Sequence, residues 1–190
     1  MRSTIGIDVA APPELVFALA RDVERWPRLL PHYVAATRLG PPDDEGRLSV
    51  RFVARRPLLP VLGLGLPVAW RSTTWSDPST CRLRFVHHGG ATNGMDVTWH
   101  IEARSDAVAV VPGVATGAGA TSDAGTAGVA MSRVEIEHVF VPRVPGWAWL
   151  IDRLFTRPIA GRTLATFRDL AEALASTDQS GSPDGTNPAS

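Results

Sequence analysis

Alternating apolar and polar positions run through most of the chain, and a helical spacing replaces them near its end. The alternation predicts strands, which are separated from one another by breaks at proline and glycine. These predicted strands cover residues 4–9, 33–39, 47–55, 68–76, 80–88, 95–102 and 131–141. From Pro145 to Ala175, apolar residues recur at spacings of three and four, which places them on one stripe of a long helix. Pro158 is expected to kink this helix, because proline lacks the backbone N–H and clashes with the preceding turn.

Two short helices are predicted between the first two strands. One spans Glu14–Ala20, and the other spans Val23–Leu30 with Asp22 as its candidate N-cap. Pro27 lies inside the second helix, which is therefore expected to bend or to begin again there. A strand, two short helices, a run of strands and one long helix together predict an α+β fold with an antiparallel sheet. The apolar face of this sheet can be covered by the single long helix only if the sheet curls around it.

Three segments lack a regular pattern. Residues 112–128 are glycine, alanine and threonine with little apolar bulk, which predicts a flexible insertion. Residues 176–190 are polar and predict a disordered tail, so that a single domain is expected over residues 1–175. The stretch Pro57–Pro67 is an unusually apolar loop. It could close a cavity as a lid, touch a membrane or a partner, or fold over the core.

Composition and charge exclude several classes of function. The 190 residues have a formal net charge of +0, which provides no basic field for nucleic acid. Every basic residue other than histidine is arginine, so that Schiff-base chemistry and a P-loop lysine are excluded. Cys81 is the single cysteine, which rules out an internal disulfide and a cysteine zinc cluster and leaves inert packing on a strand face as its expected role.

The chain shows neither an apolar signal segment at its start nor an apolar run long enough to cross a membrane. We therefore expect a cytoplasmic protein without stable membrane insertion.

His138 and Tyr33 are the polar residues with the clearest expected position. His138 alternates in step with Val134, Ile136 and Phe140, so that its side chain should point inward. An imidazole facing an apolar cavity could act as a general base or a hydrogen-bond anchor; the alternative is a core histidine satisfied by backbone or water. Tyr33 is the only tyrosine, and its hydroxyl needs a partner if it is buried. That partner could be a ligand carbonyl, or Tyr33 could simply pack a helix–strand corner.

Other candidates have two interpretations. Trp70 and Trp99 could be ligand platforms or core residues. Ser72 and Thr74 share the face of Trp70, which could line a polar patch or face solvent. Three histidines, at positions 87, 88 and 100, resemble a cluster, but alternation sends the second and third to the side opposite the first and no carboxylate spacing completes a site. No metal site is therefore predicted.

Several stretches resemble the START-like superfamily, whose members have the helix-grip (START/Bet v 1-like) fold, and within it the polyketide cyclase/dehydrase family. The resemblance extends from Ile5 to Leu174, apart from the glycine-rich insertion. The stretches that carry it are Ile7–Phe17, Asp22–Tyr33, Trp70–Ser72, Met95–Trp99, Ala160–Leu164 and Phe167–Glu172. It implies a deep pocket between the curved sheet and the long helix, with a hydrophobic or aromatic ligand inside.

The resemblance also implies a chemistry. In the bacterial aromatase/cyclases of this family, pocket residues orient a poly-β-ketone chain and assist aldol ring closure and dehydration, which need positioned acids and bases but no cofactor. Carried onto this sequence, the pocket residues are Tyr33, Trp70, Ser72 and Trp99. Some of those cyclases have an arginine on the fourth strand, where this chain has Thr74. The usual cation for stabilising an enolate is therefore missing.

Three functions are compatible with the sequence. The first is a cofactor-independent polyketide cyclase or dehydratase with Tyr33, His138 and Ser72 as catalytic residues. The second is a non-catalytic carrier of a lipid, quinone or other hydrophobic small molecule. The third is a partner-binding helix-grip domain, which no feature of the charge pattern supports. For either ligand-based function, the predicted binding residues are Phe52, Trp70, Thr74, Phe85, His87, Trp99, Leu154 and Phe155.

Overall fold

The strands of the described molecule form a single antiparallel sheet. The computed structural model describes residues 1–59, 64–104, 130–141 and 146–180. Within these residues, seven strands pair in the order β1-β7-β6-β5-β4-β3-β2, so that the first two strands form the opposite edges. Their bounds are β1 Arg2–Val9, β2 Tyr33–Arg38, β3 Leu48–Leu59, β4 Leu64–Asp77, β5 Arg82–His88, β6 Asp96–Ala103 and β7 Ser132–Val139.

The helices lie at three points of the chain. Two short helices connect the edge strands β1 and β2, and a long helical stretch follows β7. The long stretch packs against β1 and α1. Helix bounds are α1 Pro13–Arg21, α2 Trp26–Leu29, α3 Trp147–Ile151 and α4 Arg157–Ser180, with 3₁₀ turns at Val23–Arg25 and Gly90–Thr92 and a π-helical turn at Asp152–Thr156. The predicted α+β architecture is confirmed. No helix in the described part of the chain is both long and apolar enough to span a membrane.

Alternation along β7 determines which side chains face the helix. Ser132, Val134, Ile136 and His138 are buried, while the residues between them are more accessible. The inward position predicted for His138 is therefore confirmed. The face of Trp70 on β4 points inward as well, because Ser72 and Thr74 are both buried.

The irregularity predicted at Pro158 takes the form of the π-helical turn that precedes it. Proline has no N–H with which to continue the α-helical ladder. In the turn before it, the Arg157 N–H bonds to the Asp152 carbonyl five residues back, and this is the spacing of a π-turn. The turn rotates the residues before Pro158 relative to those after it.

The long helix extends to Ser180, so that the predicted disorder of residues 176–180 is wrong. Polar side chains in this last segment bond to the helix itself, because the Ser176 and Thr177 hydroxyls donate to the Ala173 carbonyl at 2.8 and 2.9 Å. Residues 181–190 and the predicted insertion at 112–128 lie outside the described residues.

The second short helix is divided. A 3₁₀ turn at Val23–Arg25 precedes α2, and Pro27 occupies the first turn of α2, where a missing N–H is tolerated. The expectation that the helix begins again near Pro27 is thus confirmed. Asp22 makes no side-chain capping bond, so that its predicted role is wrong.

The apolar stretch Pro57–Pro67 is largely a hairpin arm rather than a loop. β3 and β4 stay paired as far as Leu59 and Leu64, while residues 60–63 lie outside the described part. A proline can enter β3 at position 57, because the pairing with β2 ends at Ala54 and the strand has one neighbour beyond it.

The predicted strand position of Cys81 is also wrong. It occupies a turn with a φ of 47°, and β5 begins at the following residue.

Candidate binding site

A cavity of about 120 Å³ lies between the inward face of the sheet and the C-terminal helix. Strands β3 to β7 contribute most of its wall, and the helix contributes residues on either side of Pro158. Aromatic rings form much of this wall: Trp26, Tyr33, Phe52, Trp70, Phe85 and Trp99. Flat apolar rings on several sides are suited to a hydrophobic or aromatic guest.

Trp26 is the centre of the aromatic wall. Its ring lies 5.1 Å from Tyr33, 5.6 Å from Phe52 and 5.8 Å from Trp99, measured between ring centroids. Its indole N–H donates to the Ala20 carbonyl at 3.0 Å, which fixes the ring in place. The restart of the helix at α2 thus puts a large anchor into the wall, and sequence reasoning did not place Trp26 in the site.

Tyr33 enters the cavity from the start of β2 and is joined there by Thr163 from α4. Burial raises the pKa of Tyr33, while the nearby Thr163 hydroxyl opposes that shift. The Thr163 hydroxyl donates to the Ile159 carbonyl at 2.9 Å, and its oxygen lies 2.9 Å from His32 Nε2. Burial, with a contribution from Arg162, lowers the pKa of His32 to about 4.

Two more histidines line the same cavity. Burial lowers the pKa of His138 to about 4, although the nearby Asp152 carboxylate opposes the shift. Burial also lowers the pKa of His87 to about 3, and the proximity of His138 adds to the effect. Both imidazoles are therefore neutral at neutral pH. The Nδ1 atom of each is buried without a hydrogen-bond partner among the described residues.

Asp152 brings a carboxylate close to this site. The residue is 8% exposed, and its Oδ2 atom accepts a bond of 2.8 Å from Arg157 Nε. Its Oδ1 atom is buried and has no partner within the described part of the molecule. Asp152 belongs to the π-helical turn.

Most of the predicted ligand-contacting residues lie in the wall of the cavity. These are Tyr33, Phe52, Trp70, Phe85, His87, Trp99 and His138. Ser72 and Thr74 do not line it, although both face inward. Ser72 is fully buried between its strand partners Val50 and His87, so that its short side chain does not reach the cavity surface. Leu154 is partly exposed and outside the wall, and the side chain of Phe155 is not among those described.

Residues missed by the sequence reasoning include Thr163, Thr156 and Ala160, which line the cavity, and the nearby Asp152. Their signal is present in the sequence, because they recur at spacings of three and four along the buried stripe of the helix. Small or polar residues on an apolar stripe indicate space or a hydrogen-bonding role at that point.

The described residues contain no group of three or more histidine, cysteine, aspartate or glutamate side chains that could hold a metal ion. His88 and His100 have partners elsewhere: His88 Nε2 lies 2.9 Å from the Thr73 hydroxyl, and His100 lies 3.7 Å from Glu137.

Solved structures with a similar fold include several aromatase/cyclases. One is the di-domain ARO/CYC BexL from the BE-7585A biosynthetic pathway, at 21% identity, with a TM-score of 0.59 and coverage of 89% of this chain and 45% of that one. Another is the aromatase/cyclase ZhuI from Streptomyces sp. R1128, at 16% identity, with a TM-score of 0.62 and coverage of 90% and 93%. A START superfamily protein from Mycobacterium smegmatis matches at 14% identity, with a TM-score of 0.51 and coverage of 93% and 97%.

At these identities the structural matches show the fold alone, and the chain spans about half the length of the di-domain proteins. No curated protein sequence matches the chain significantly. The family model for polyketide cyclase/dehydrase and lipid transport, however, matches residues 2–172. Since this match covers nearly the whole chain, the protein belongs to the polyketide cyclase/dehydrase and lipid transport family.

Proposed function

We propose that the protein binds a hydrophobic or aromatic small molecule in the cavity and promotes aldol cyclisation and dehydration of a poly-β-ketone. The observation that carries this proposal is the combination of an aromatic wall with polar groups inside it. Tyr33, His87 and His138 line the same cavity, and both histidines are neutral. The family membership supports the same reaction class.

His138 is the proposed general base. Its imidazole is unprotonated at neutral pH and can accept a proton from a carbon that lies between two carbonyl groups. The resulting enolate attacks a second carbonyl of the chain and forms the new C–C bond. The enolate also raises the pKa of the imidazole while it exists, because an opposite charge nearby favours the protonated form. The imidazolium returns that proton to the alkoxide formed in the attack, which becomes a hydroxyl group. In the dehydration the neutral imidazole removes the second proton from the same carbon, the C=C bond forms as the hydroxyl leaves, and the imidazolium donates its proton to the hydroxyl, which is released as water.

Tyr33 is proposed to hold an oxygen of the substrate by a hydrogen bond, and the aromatic rings to hold the chain in the folded conformation that ring closure requires. Ser72 has no part in this proposal, because it does not line the cavity. Thr74 does not line the cavity either. As a threonine, it also supplies no positive charge to stabilise an enolate.

The test is reconstitution with a minimal polyketide synthase that releases an unreduced chain. The wild-type protein should shift the products towards one aromatic ring pattern. His138→Gln should abolish the shift, whereas His100→Gln, on the opposite side of the sheet, should preserve it. A product spectrum unchanged by the wild-type protein would contradict the catalytic proposal.

A second candidate function is a non-catalytic carrier for a lipid, a quinone or a similar molecule. The specific observation in its favour is that no arginine, aspartate or glutamate is among the described residues that line the cavity. Extraction of the purified protein with organic solvent, followed by mass spectrometry, should then identify a co-purified apolar molecule. An empty extract, together with no uptake of a fluorescent lipid, would count against this function.

A cytoplasmic location stays a prediction from the sequence.

A further inference from the structure

The cavity opens at one end of the sheet, which we call the mouth end. Antiparallel pairing brings the starts of β1, β4 and β6 together with the ends of β3, β5 and β7 at this end. Lining residues farther from it, such as Trp99 and Ile136, are buried. The lining residues of the sheet and its connections that stay accessible lie towards the mouth end; they are Val68, Ala69, Trp70, His87 and Thr92.

The long helix begins at the mouth end and runs to the opposite end of the sheet. Ile159, in the first turn of α4, is another accessible residue of the cavity wall. Glu172 lies beside the far end of β1, because its Oε1 atom accepts a hydrogen bond of 3.0 Å from the Ala10 N–H. Between Ile159 and Glu172 the helix advances about 20 Å, at 1.5 Å per residue. Helix α3 and the π-helical turn, which precede Ile159, therefore belong to the mouth end.

Most of the large apolar side chains that are exposed in the described residues belong to the mouth end. Val141, just beyond the end of β7, is 84% exposed, and Trp149 on α3 is 64% exposed. Single exposed apolar residues are ordinary on a protein surface, but several at one end indicate an interaction surface. We call this set the rim; its members are Met1, Leu66, Val139, Val141, Trp147 and Trp149.

Three exposed arginines at the mouth end have no carboxylate partner among the described residues. They are Arg55 on β3, Arg71 on β4 and Arg153 in the π-helical turn. Arg71 pairs in register with the last residue of β5, so that it lies where this strand ends. The Arg153 guanidinium lies over the Trp149 ring, 5.9 Å from its centroid, which places a positive charge directly beside the rim.

Carboxylates at the mouth end do not cancel this charge. On the described strands and helical turns of this end, each aspartate and glutamate forms an ion pair with a further arginine. The pairs are Asp96 with Arg84, Glu137 with Arg2, and Asp152 with Arg157. The described part of the mouth end is therefore positively charged, although the formal net charge of the whole chain is +0.

A lipid bilayer with anionic headgroups has the chemistry that matches this surface. Tryptophan is enriched where hydrocarbon meets the headgroups, because its indole is apolar with one polar N–H. Arginine covers apolar surface with its stem and keeps its guanidinium at the level of the phosphates. An acidic protein would satisfy the three arginines, but its polar surface would leave Val141 and Trp149 without apolar contacts.

We propose that the mouth end docks on the surface of an anionic bilayer, with the rim in the headgroup region and Arg55, Arg71 and Arg153 at lipid phosphates. The cavity then opens against the bilayer, so that an apolar ligand can pass between the two without crossing water. Docking of this kind needs no helix that spans the membrane. The inference goes beyond the proposed reaction and applies equally to a carrier.

The experiment measures co-flotation of the full-length protein with vesicles of phosphatidylcholine, either alone or mixed with an equal part of phosphatidylglycerol. We expect binding to the anionic vesicles to be at least tenfold tighter, because each arginine near an anionic surface contributes about fivefold. Raising the ionic strength from about 0.1 M to about 1 M should remove most of this difference, because the screening length falls from about 10 Å to about 3 Å.

One pair of variants tests the rim against exposed apolar residues elsewhere. Trp147→Ala combined with Trp149→Ala should weaken binding to anionic vesicles at least tenfold. Leu39 and Leu174 are also exposed, but they follow the far end of β2 and lie near the far end of α4. Leu39→Ala combined with Leu174→Ala should therefore leave binding unchanged. Circular dichroism checks that each variant stays folded.

A second pair tests the charge. Arg71→Gln should weaken binding to anionic vesicles about fivefold and should not change the weak binding to phosphatidylcholine alone. The control is Arg82→Gln, at an exposed arginine that begins β5 and so lies at the end opposite the mouth end. This control should bind like the wild-type protein.

The outcomes that overturn the proposal are distinct. If the wild-type protein floats with neither kind of vesicle, docking on a bilayer is wrong, as expected for a surface that binds an acidic protein instead. If the far-end variants lose as much binding as the mouth-end variants, the surface is wrongly placed. Equal binding to both kinds of vesicle would overturn the role of the arginines. None of these results bears on the proposed reaction, because the vesicles contain no polyketide.

Discussion

Arg157 Nε donates a hydrogen bond of 2.8 Å to Asp152 Oδ2, so that an exposed guanidinium holds a buried carboxylate near the cavity. The two residues are five positions apart and are brought together by the π-helical turn before Pro158. Both influence His138, because the carboxylate raises the pKa of the imidazole and the guanidinium lowers it. The helix irregularity is thus connected to the proposed base.

Asp152→Asn should lower the pKa of His138 further below its value of about 4, because the substitution removes the negative charge that favours the imidazolium. The measurement is an NMR titration of the His138 ring signals. Arg153→Gln is the control on the adjacent residue, whose guanidinium lies over the Trp149 ring, and it should leave the titration unchanged. An unaltered pKa in Asp152→Asn would show that the carboxylate does not act on His138.

Stability should fall as the pH drops from about 6.5 towards 4. The pKa of His138 is about 4 in the folded protein, against an ordinary value of 6.5. In this window the unfolded chain takes up a proton that the folded protein does not, so that unfolding is favoured by up to about 3 kcal/mol for this residue. Above pH 7 the effect vanishes. Urea unfolding at pH 7.5 and pH 4.5 should show the loss, and His138→Gln should reduce it. If the variant loses as much stability as the wild-type protein, the loss arises from titratable groups other than His138.

Trp26→Phe should destabilise the protein by about 2–4 kcal/mol. It removes the bond from the indole to the Ala20 carbonyl and leaves a void among the surrounding rings. The comparison is Trp149→Phe, at a tryptophan that is 64% exposed, which should change the free energy of unfolding by less than about 0.5 kcal/mol. Similar effects for both substitutions in urea unfolding would contradict the central position of Trp26.

Ala160→Leu should abolish the binding of phenol, a small aromatic probe, while the protein stays folded. Ala160 lines the cavity, and the larger side chain can occupy that empty space without forcing its neighbours apart. Ala173→Leu, on the exposed side of the same helix, should bind phenol like the wild-type protein. Unimpaired binding in Ala160→Leu would place the ligand elsewhere.

The sheet could be predicted from the sequence because each inward face has a period of two. That period placed His138, Trp99 and Phe85 on the buried side without any knowledge of the pairing. The predicted bounds of β3 and β4 were less accurate at the end of their hairpin, where these two strands pair only with each other. Pro57 suggested a loop, although a strand with one neighbour tolerates proline there.

The helical half of the site could not be predicted as well. Which helix residues meet the cavity depends on the rotation that the π-helical turn introduces, and a regular period of 3.6 does not include that turn. Asp152 and Thr163 follow the spacing of the buried stripe, but that spacing does not show which members of the stripe lie at or near the cavity. Ser72 was wrongly predicted as a cavity residue for a different reason. Alternation placed it correctly on the inward face, but whether a side chain on that face reaches the cavity depends on its own length and on that of its neighbours.

The most direct test of the central claim is a titration of the six tryptophan indole N–H signals with phenol in a ¹H–¹⁵N NMR spectrum. Trp26, Trp70 and Trp99 line the cavity, whereas Trp75, Trp147 and Trp149 do not. Saturable shifts of the first three signals, with the other three unchanged, are the result that we predict. Shifts confined to Trp147 and Trp149, or no shifts at all, would contradict a ligand-binding cavity beneath the helix.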